Sequence, residues 1–319
     1  MSNISNLTKK NKNLFLASPR GFCAGVERAI KIVEQTLKIY GKPVYVKHEI
    51  VHNKHVVKRL SNAGAVFVED LNSVPKNANI IFSAHGVSKN VSENAIENKL
   101  SVFDATCPLV TKVHLEALKL HNNGYHIFLI GHDGHPEIEG TRGQVPESSI
   151  TLIQTKNEAE NVSAPSNNLA WLSQTTLSVD DTKEIVNVLN NRFPDILGPK
   201  KGDICYATTN RQQAVKELAP AVDIMLIVGS ENSSNSQRLV EVAQKAGCQN
   251  SFLISDVNYI NWKEIDQVDN IGLSSGASAP EILIEEIRNK FSELYNTKEI
   301  QNYSIQENVY FKLPKVLDK

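Results

Sequence analysis

The sequence lacks a membrane-length apolar segment, an excess of either charge and an apolar export signal. No apolar run approaches the roughly 18 residues that a membrane span requires. Lys and Arg total 34 and Asp and Glu total 35, so a net charge of −1 provides no basic field for nucleic acid or anionic membrane. Residues 1–13 are polar and rich in Lys and Asn. We therefore predict a disordered tail at 1–13 and a cytoplasmic protein.

Familiar nucleotide and metal motifs are also missing. Neither a GxGxxG loop nor a Walker A loop occurs, which removes the usual nucleotide-binding loops. The chain has four cysteines, and none of them forms a CxxC pair. In a reducing compartment, so few cysteines in 319 residues do not make a disulfide scaffold. The function of each cysteine must therefore be inferred from the residues around it.

Short apolar runs alternate with amphipathic segments along most of the chain. Residues 80–83, 127–130 and 225–228 are examples of the apolar runs, and segments of helical periodicity lie between such runs. This alternation predicts an α/β fold with parallel sheets covered by helices. Ligands in such folds bind beyond the carboxyl ends of the strands, so the loops at those ends are the candidate site.

Three cysteines are spaced as in a repeated unit. Cys23, Cys107 and Cys205 stand 84 and 98 residues apart. Each is followed by a second polar loop 28 or 29 residues later and by a third loop 62 to 73 residues later. These second and third loops contain, in chain order, His52 and His85, His135 and Thr175, and Ser233 and Ser278.

The repeat predicts three similar parallel-sheet α/β domains in a pseudo-threefold trefoil around a central site. We place their boundaries at 14–104, 105–201 and 202–290. The remaining residues, 291–319, are predicted to form a C-terminal tail that packs back on the core.

The repeated cysteines predict a shared metal site. Each precedes a predicted helix, whose N-terminus favours the metal-binding thiolate, and Pro108 suits the first helical position after Cys107. A lone cysteine is more often simply buried, which is our prediction for Cys248. Three at equivalent positions instead favour one common ion or cluster. Zinc with a histidine as fourth ligand and an iron–sulfur cluster both suit three thiolates, and the spacing leaves both open.

The loops together carry a family resemblance. In chain order they read SPRGFCAGVERAI, VHN, FSAHGVS, DATCPLVTKVH, GHPEIEGTRGQ, SQTTLS, CYATTNRQ, GSENSSNSQRL and GASAPE. They closely resemble the 4-hydroxy-3-methylbut-2-enyl diphosphate reductases of the non-mevalonate isoprenoid pathway. The resemblance runs from about Leu14 to the C-terminal VYFKLPKVL, which is nearly the whole chain.

This resemblance implies a cofactor and a reaction. One [4Fe–4S] cluster per chain is expected on Cys23, Cys107 and Cys205, with the substrate hydroxyl bound to the open iron. Two electrons and two protons then remove that hydroxyl as water from (E)-4-hydroxy-3-methylbut-2-enyl diphosphate, giving isopentenyl and dimethylallyl diphosphate. Ferredoxin or flavodoxin is the expected electron donor. No nucleic-acid or membrane partner is expected.

The resemblance also implies roles for individual side chains. Glu137 is the expected proton source, because a carboxyl in a water-poor pocket can keep its proton near neutral pH. Thr175 is expected to position the hydroxyl and to relay the proton, with its neighbour Thr176 as a further candidate. Thr208 is a candidate for an additional contact to the diphosphate. Arg142 and Arg211 are expected to give structural support. The side chains expected to surround the diphosphate are His52, His85, His135, Ser233, Ser234, Asn235 and Ser278.

Two other functions stay open from the residues. A quinolinate synthase-like dehydratase also combines three α/β domains with a three-cysteine cluster, but its reaction needs no low-potential electrons. A non-catalytic iron–sulfur or zinc sensor is the alternative from another class. A sensor has no use for seven anion-binding side chains, which favours the reductase.

Overall fold

The computed structural model describes residues 9–301 and 305–318, and residues 1–8 of the predicted tail lie outside them. Within this range the chain alternates strands and helices. The strands are β1 (Asn11–Leu16), β2 (Val44–Lys47), β3 (Ala65–Val68), β4 (Asn79–Phe82), β5 (Ser101–Asp104), β6 (His126–Ile130), β7 (Ile150–Ile153), β8 (Leu169–Ser173), β9 (Ile224–Val228), β10 (Ser251–Ile254), β11 (Asn270–Ser275) and β12 (Asn296–Gln301).

Eleven α-helices occur in the same described residues, and most of them follow a strand directly. They are α1 (Ala24–Tyr40), α2 (Lys54–Ala63), α3 (Lys89–Glu97), α4 (Pro108–Asn122), α5 (Pro136–Arg142), α6 (Lys156–Asn161), α7 (Val179–Arg192), α8 (Tyr206–Leu218), α9 (Ser234–Lys245), α10 (Trp262–Ile265) and α11 (Glu281–Leu294). None of the helices in the described range has the length and apolar character needed to cross a membrane.

The strands form three separate sheets in the described part of the chain. Their strand orders are β3-β2-β4-β5, β7-β6-β8 and β10-β9-β11-β1-β12. Neighbouring strands in each sheet are parallel. The predicted α/β class with three parallel sheets is therefore confirmed.

Strand β1 differs from its predicted place. Residues 11–13, assigned to the tail, form its first half, and the strand pairs with β11 and β12 rather than with the first sheet. The physical reason is the apolar face that Leu14 and Leu16 present, which is buried with Ile271 and Leu273 of β11. Burial against a distant strand outweighs closeness along the chain.

Contacts between residues divide the chain into two compact units. Unit 1 comprises residues 1–22 and 210–307, and unit 2 comprises residues 23–209 and 308–319. Unit 1 contains the five-stranded sheet, whereas unit 2 contains the other two sheets and the short turn Lys315–Leu317 against α1. The three domain boundaries drawn from the sequence stay a prediction.

The central strands are buried on both faces. Residues of β9 alternate between two apolar clusters of unit 1: Leu226 packs with Leu14 and Ile271, whereas Ile227 packs with α8 and α9. In unit 2 every residue of β6 is buried. Parallel strands covered by helices on both faces require this continuous apolar character. The polar residues are therefore displaced to the loops at the strand ends, where the candidate site lies.

Candidate active site

The three repeated cysteines occupy equivalent places in unit 2, each immediately before a helix. Cys23 precedes α1, Cys107 precedes α4 and Cys205 precedes α8. Pro108 is the first residue of α4, as predicted. Cys248 lies apart, buried in the apolar core of unit 1, as also predicted.

Gly25 shows how closely two of the thiols approach each other. A Cβ atom on Gly25 would lie 2.7 Å from Sγ of Cys107 and 3.8 Å from Sγ of Cys23. A side chain at this position would therefore displace the Cys107 sulfur. The sequence analysis missed this requirement, although Gly25 stands two residues after Cys23 in a quoted loop.

The thiols are electrostatically coupled. Burial raises the pKa of Cys107 to about 12, and the Cys23 thiol adds to this, against backbone N–H groups of α4 that lower it. Burial raises the pKa of Cys205 to about 11, again with a contribution from Cys23. The helix N-terminus therefore lowers the pKa of Cys107, as predicted, but desolvation outweighs it and the net shift is upward. Three thiolates in this position would need a cation to stabilise their charge.

Thr208 supports the Cys205 sulfur. Its backbone N–H lies 3.4 Å and its hydroxyl 3.2 Å from Sγ of Cys205. Both contacts lower the pKa of that thiol, although burial still dominates. Thr208 was a candidate substrate contact in the sequence, and the structure gives it this sulfur as a partner.

Glu137 is a buried carboxyl whose two oxygens both meet Thr175. The side chain is 2% exposed. The backbone N–H of Thr175 donates to Oε1 of Glu137 at 2.6 Å, and the Thr175 hydroxyl lies 3.0 Å from Oε2. Burial raises the pKa of Glu137 to about 7, against these two hydrogen bonds and with a small contribution from Asp203. The carboxyl is thus poised between its protonated and ionised forms at neutral pH.

A backbone hydrogen bond connects this pair to the cysteines. The N–H of Cys205 donates to the carbonyl of Thr175 at 3.0 Å. Glu137 and Cys205 are near enough for the carboxylate to contribute to the raised pKa of the thiol. The structure therefore brings together the predicted acid, the predicted relay residue and one predicted metal ligand.

The three predicted histidines of unit 2 form one cluster of rings. The His52 and His85 rings are stacked, with centroids 4.0 Å apart, and the His135 ring lies 5.4 Å from His52 and 6.0 Å from His85. His48 completes the group at 5.7 Å from His52 and 6.0 Å from His85. The sequence analysis did not select His48, although it lies four residues before His52 in the loop after β2.

Burial and mutual repulsion keep two of these rings neutral. Burial lowers the pKa of His135 to about 3, with further lowering by His52, His132 and His48. The pKa of His85 is lowered well below its usual value, first by burial and then by its histidine neighbours. Nδ1 of His135 accepts the backbone N–H of Glu137 at 3.2 Å, so the neutral ring carries its proton on Nε2.

The remaining predicted residues form a second polar group in unit 1. Ser233 caps α9 by accepting the N–H of Ser236, and Oδ1 of Asn235 accepts the N–H of Ala277 at 2.9 Å. Ser234 lies between Ser233 and Asn235, Ser278 follows Ala277, and both serines are buried. This group, comprising Ser233, Ser234, Asn235 and Ser278, is called the serine–asparagine group below.

Arg211 and Arg142 have the supporting contacts that were predicted. Arg211 is buried in unit 1, donates to the carbonyl of Gly21 at 2.8 Å and pairs with Glu307 at 3.0 Å. Arg142 lies 3.3 Å from Asp133 on a more exposed surface of unit 2. Both arginines therefore have protein partners that account for a structural role.

Comparison with known proteins gives a consistent family. The LytB protein family matches residues 14–292. The 4-hydroxy-3-methylbut-2-enyl diphosphate reductases of Beijerinckia indica and Roseobacter denitrificans are 52% and 53% identical over 314 residues, which cover 98% of this chain and 98% and 99% of theirs.

Solved structures give the same result. The E-1-hydroxy-2-methyl-but-2-enyl-4-diphosphate reductase from Plasmodium falciparum is 38% identical with a TM-score of 0.90, over 97% of each chain. A second structure, of an (E)-4-hydroxy-3-methyl-but-2-enyl diphosphate reductase, is 31% identical with a TM-score of 0.63, over 88% of this chain and 99% of that one. These matches confirm the resemblance that the loops predicted.

Proposed function

The chain belongs to the LytB protein family, and on that premise we propose that it is an iron–sulfur oxidoreductase acting in isoprenoid synthesis by the non-mevalonate pathway. Its substrate is (E)-4-hydroxy-3-methylbut-2-enyl diphosphate. The products are isopentenyl and dimethylallyl diphosphate, formed when two electrons and two protons remove the hydroxyl as water. The names of the near full-length relatives support this reaction.

We assign one [4Fe–4S] cluster to Cys23, Cys107 and Cys205. The donor set fits such a group, because the three thiols are coupled and two of their sulfurs border the same glycine. Soft thiolates are the preferred ligands of iron–sulfur clusters. When bound, the cluster supplies low-potential electrons and the Lewis acidity that a departing hydroxide needs.

Glu137 is the proposed proton donor, and the observation that carries the proposal is its buried carboxyl with both oxygens on Thr175. An efficient general acid has a pKa near the working pH, and burial brings that of Glu137 to about 7. Thr175 bridges the carboxyl through its hydroxyl, 3.0 Å from Oε2, so it can hold a substrate hydroxyl and relay the proton. A sensor would have no need of such an acid.

The histidines are the proposed donors to the diphosphate in unit 2. His52, His85 and His135 offer ring N–H groups. His85 and His135 are kept neutral by burial, and an incoming diphosphate favours the protonated forms of these two rings. Each ring then gains a charge-assisted hydrogen bond that is absent in the free protein. The serine–asparagine group of unit 1 is proposed as a further set of donors to a diphosphate, through hydroxyl, amide and backbone N–H groups at the start of α9.

A separate redox protein is the proposed electron source. Ferredoxin or flavodoxin fits the family resemblance, and a cytoplasmic location suits either donor. The need for electrons also separates the reductase from a quinolinate synthase-like dehydratase, whose reaction has no net reduction.

Anaerobic reconstitution tests the proposal. We expect four irons and four sulfides per chain, together with consumption of the substrate by an artificial low-potential reductant. Replacement of Cys23, Cys107 or Cys205 by Ser should remove the iron and the turnover. Cys248→Ser, on a buried cysteine of the apolar core, is the matched control and should keep both. Equal iron in all four variants would overturn the ligand assignment, and reductant-independent dehydration would favour the alternative enzyme.

A further inference from the structure

A second set of metal-binding side chains lies at the carboxyl end of β2, apart from the cysteines. His48, Glu49 and His52 each place one donor atom within 4.8 Å of the donor atoms of the other two. Two imidazoles and one carboxylate form a ligand set that zinc accepts in proteins. His52 has a proposed role at the diphosphate, whereas the proposed reaction uses neither His48 nor Glu49.

His48 is oriented by a carboxylate behind its ring. Nδ1 of His48 lies 2.8 Å from Oε1 of Glu69. An ionised carboxylate only accepts hydrogen bonds, so Nδ1 carries the proton and a neutral ring has its lone pair on Nε2. A carboxylate–histidine pair of this kind commonly fixes the tautomer of a metal-bound histidine.

The other nitrogen of His48 is buried without a hydrogen bond. Among the described residues, Nε2 of His48 has no hydrogen-bond partner. An unpaired polar atom of this kind costs free energy on burial, and a bound ion would remove that cost. The hydrogen bond to Glu69 leaves Nε2 of His48 with a lone pair for a metal ion. The same Nε2 atom is the one that lacks a hydrogen-bond partner in the described part of the chain.

The local backbone separates this site from a zinc peptidase motif. His48 has a φ of 59°, in the left-handed region, and residues 48–53 form a loop before α2. The peptidase pattern HExxH requires a helix to place both histidines on one face. Here the loop brings the two rings together instead, so we infer metal binding and no peptidase chemistry.

An open cavity in unit 2 gives access to His48. It measures about 590 Å³, and Lys47, His48, Glu69 and Arg142 are among its lining residues. Glu69 is also 3.4 Å from Lys47, so its carboxylate compensates the nearby ammonium as well as orienting His48. A hydrated ion can therefore reach the His48 ring through this cavity.

We propose that His48, Glu49 and His52 form a binding site for a zinc-class divalent ion, with Glu69 as the outer carboxylate. Donors on one tetrahedral ion stand roughly 3.3 Å apart, so small side-chain rotations complete the site. Because His52 is shared with the diphosphate, zinc and substrate should compete. Only this competition rests on the proposed function; the metal site itself does not.

Titration of the cluster-loaded protein with Co²⁺ tests the site directly. The cluster occupies the cysteines, and the visible spectrum of Co²⁺ distinguishes imidazole and carboxylate ligands from thiolates. We expect one Co²⁺ per chain with the imidazole type of spectrum, displaced by Zn²⁺ but not by Mg²⁺, which prefers oxygen ligands. Glu69→Gln should weaken binding about 10- to 100-fold, and His48→Ala by at least as much.

His55→Ala is the matched control, because His55 is exposed on α2 three residues after His52. It should bind Co²⁺ as the wild type does. Equal affinity in His48→Ala and wild type, or a spectrum of thiolate type, would overturn the site. Absence of turnover in the cluster-loaded protein would leave this titration unaffected, so the two proposals fail separately.

Zinc inhibition tests the competition. The turnover of each variant is normalised to its own rate without zinc. The zinc concentration for half inhibition should rise with substrate concentration in the wild type, and His48→Ala should raise it at least tenfold. Inhibition that is independent of substrate would overturn the shared role of His52.

Discussion

The two polar groups proposed to bind the diphosphate differ in their chemistry. In unit 2 the group consists of imidazoles next to a buried carboxyl, and burial shifts the pKa values of His85, His135 and Glu137. In unit 1 the serine–asparagine group contains only hydroxyls and an amide, which do not titrate near neutral pH. Two of its members are held by backbone N–H groups, Ser233 by that of Ser236 and Asn235 by that of Ala277.

This difference assigns proton transfer to the titratable groups of unit 2 and pH-independent binding of the diphosphate to those of unit 1. The groups in unit 2 can change charge when an anion arrives, so they couple binding and turnover to pH. Those in unit 1 present the same donors at any pH between about 5 and 9, because Ser and Asn have no ionisable group in that range. The proposed reaction needs both properties: a proton at the hydroxyl and a stable hold on the diphosphate.

Glu137→Gln should have the largest effect, because it removes the proposed proton donor of unit 2. Gln keeps the size of Glu but carries no acidic proton, so single-turnover reduction should fall by about 10²–10⁴-fold. In the wild type the rate should fall about tenfold per pH unit above the Glu137 pKa of about 7, because only the protonated form donates. Anaerobic rapid mixing from pH 6 to 9 measures both effects.

Glu139→Gln is the control for that variant. Glu139 lies on the same short helix but is exposed, 3.7 Å from Arg142. It should keep the wild-type rate and pH profile, and both variants should assemble the cluster. A wild-type rate in Glu137→Gln would assign the proton to another group, and loss of the cluster there would make the role structural.

Ala substitutions of His85 and Asn235 should separate the two binding groups. Loss of one charge-assisted hydrogen bond costs about 1.5–3 kcal/mol, so each variant should bind substrate roughly 10- to 100-fold more weakly. Their pH responses should differ. Binding raises the depressed pKa of His85, so protons are taken up and affinity rises as pH falls.

Calorimetry without reductant, in buffers that differ in ionisation enthalpy, measures this proton uptake. His85→Ala should take up fewer protons than the wild type, whereas Asn235→Ala should take up as many. Equal uptake in all three proteins would remove the distinction between the groups.

The smallest expected effect is on the free energy of unfolding, and it comes from another buried histidine of unit 2. Burial lowers the pKa of His114 to about 4 from 6.5. Because its folded pKa is depressed, the unfolded chain binds the proton first as pH falls. The stability is therefore complete above pH 6.5 and is lost progressively down to about pH 4.

His114→Asn should flatten this acid dependence. The slope of the free energy of unfolding between pH 4.5 and 6 should decrease by up to ~1.4 kcal/mol per pH unit, the contribution of one proton. Urea unfolding of the cluster-free protein measures it. His55→Asn, on the exposed surface of α2, should leave the slope unchanged, and an unchanged slope in His114→Asn would refute the burial argument.

The sequence predicted the positions of three helix starts more fully than it predicted the pairing of the strands. The repeat of Cys23, Cys107 and Cys205 indicated three equivalent helix starts, because loop position in an α/β repeat follows directly from spacing along the chain. The place of β1 could not be predicted in this way. Its partner β12 begins 285 residues after the start of β1, and strand pairing at that distance depends on tertiary packing.

Electrostatic properties were predicted only where burial was anticipated. The elevated pKa of Glu137 follows from the expected water-poor pocket. The thiol pKa values went the other way, because the desolvation of Cys107 and Cys205 depends on three-dimensional packing that helix-start patterns do not report. His48 was missed for a related reason, since its ring joins the cluster through a left-handed backbone conformation unusual for a residue other than glycine.

The protonation state of Glu137 is the most direct test of the proposed acid. Infrared difference spectroscopy of the cluster-free protein, comparing wild type with Glu137→Gln, isolates the stretching band of this neutral carboxyl group. We predict that the band is present at pH 6, disappears with a midpoint near pH 7 and is absent from the variant. A carboxylate already ionised at pH 5 would contradict the claim that this buried site keeps a proton ready for the substrate hydroxyl.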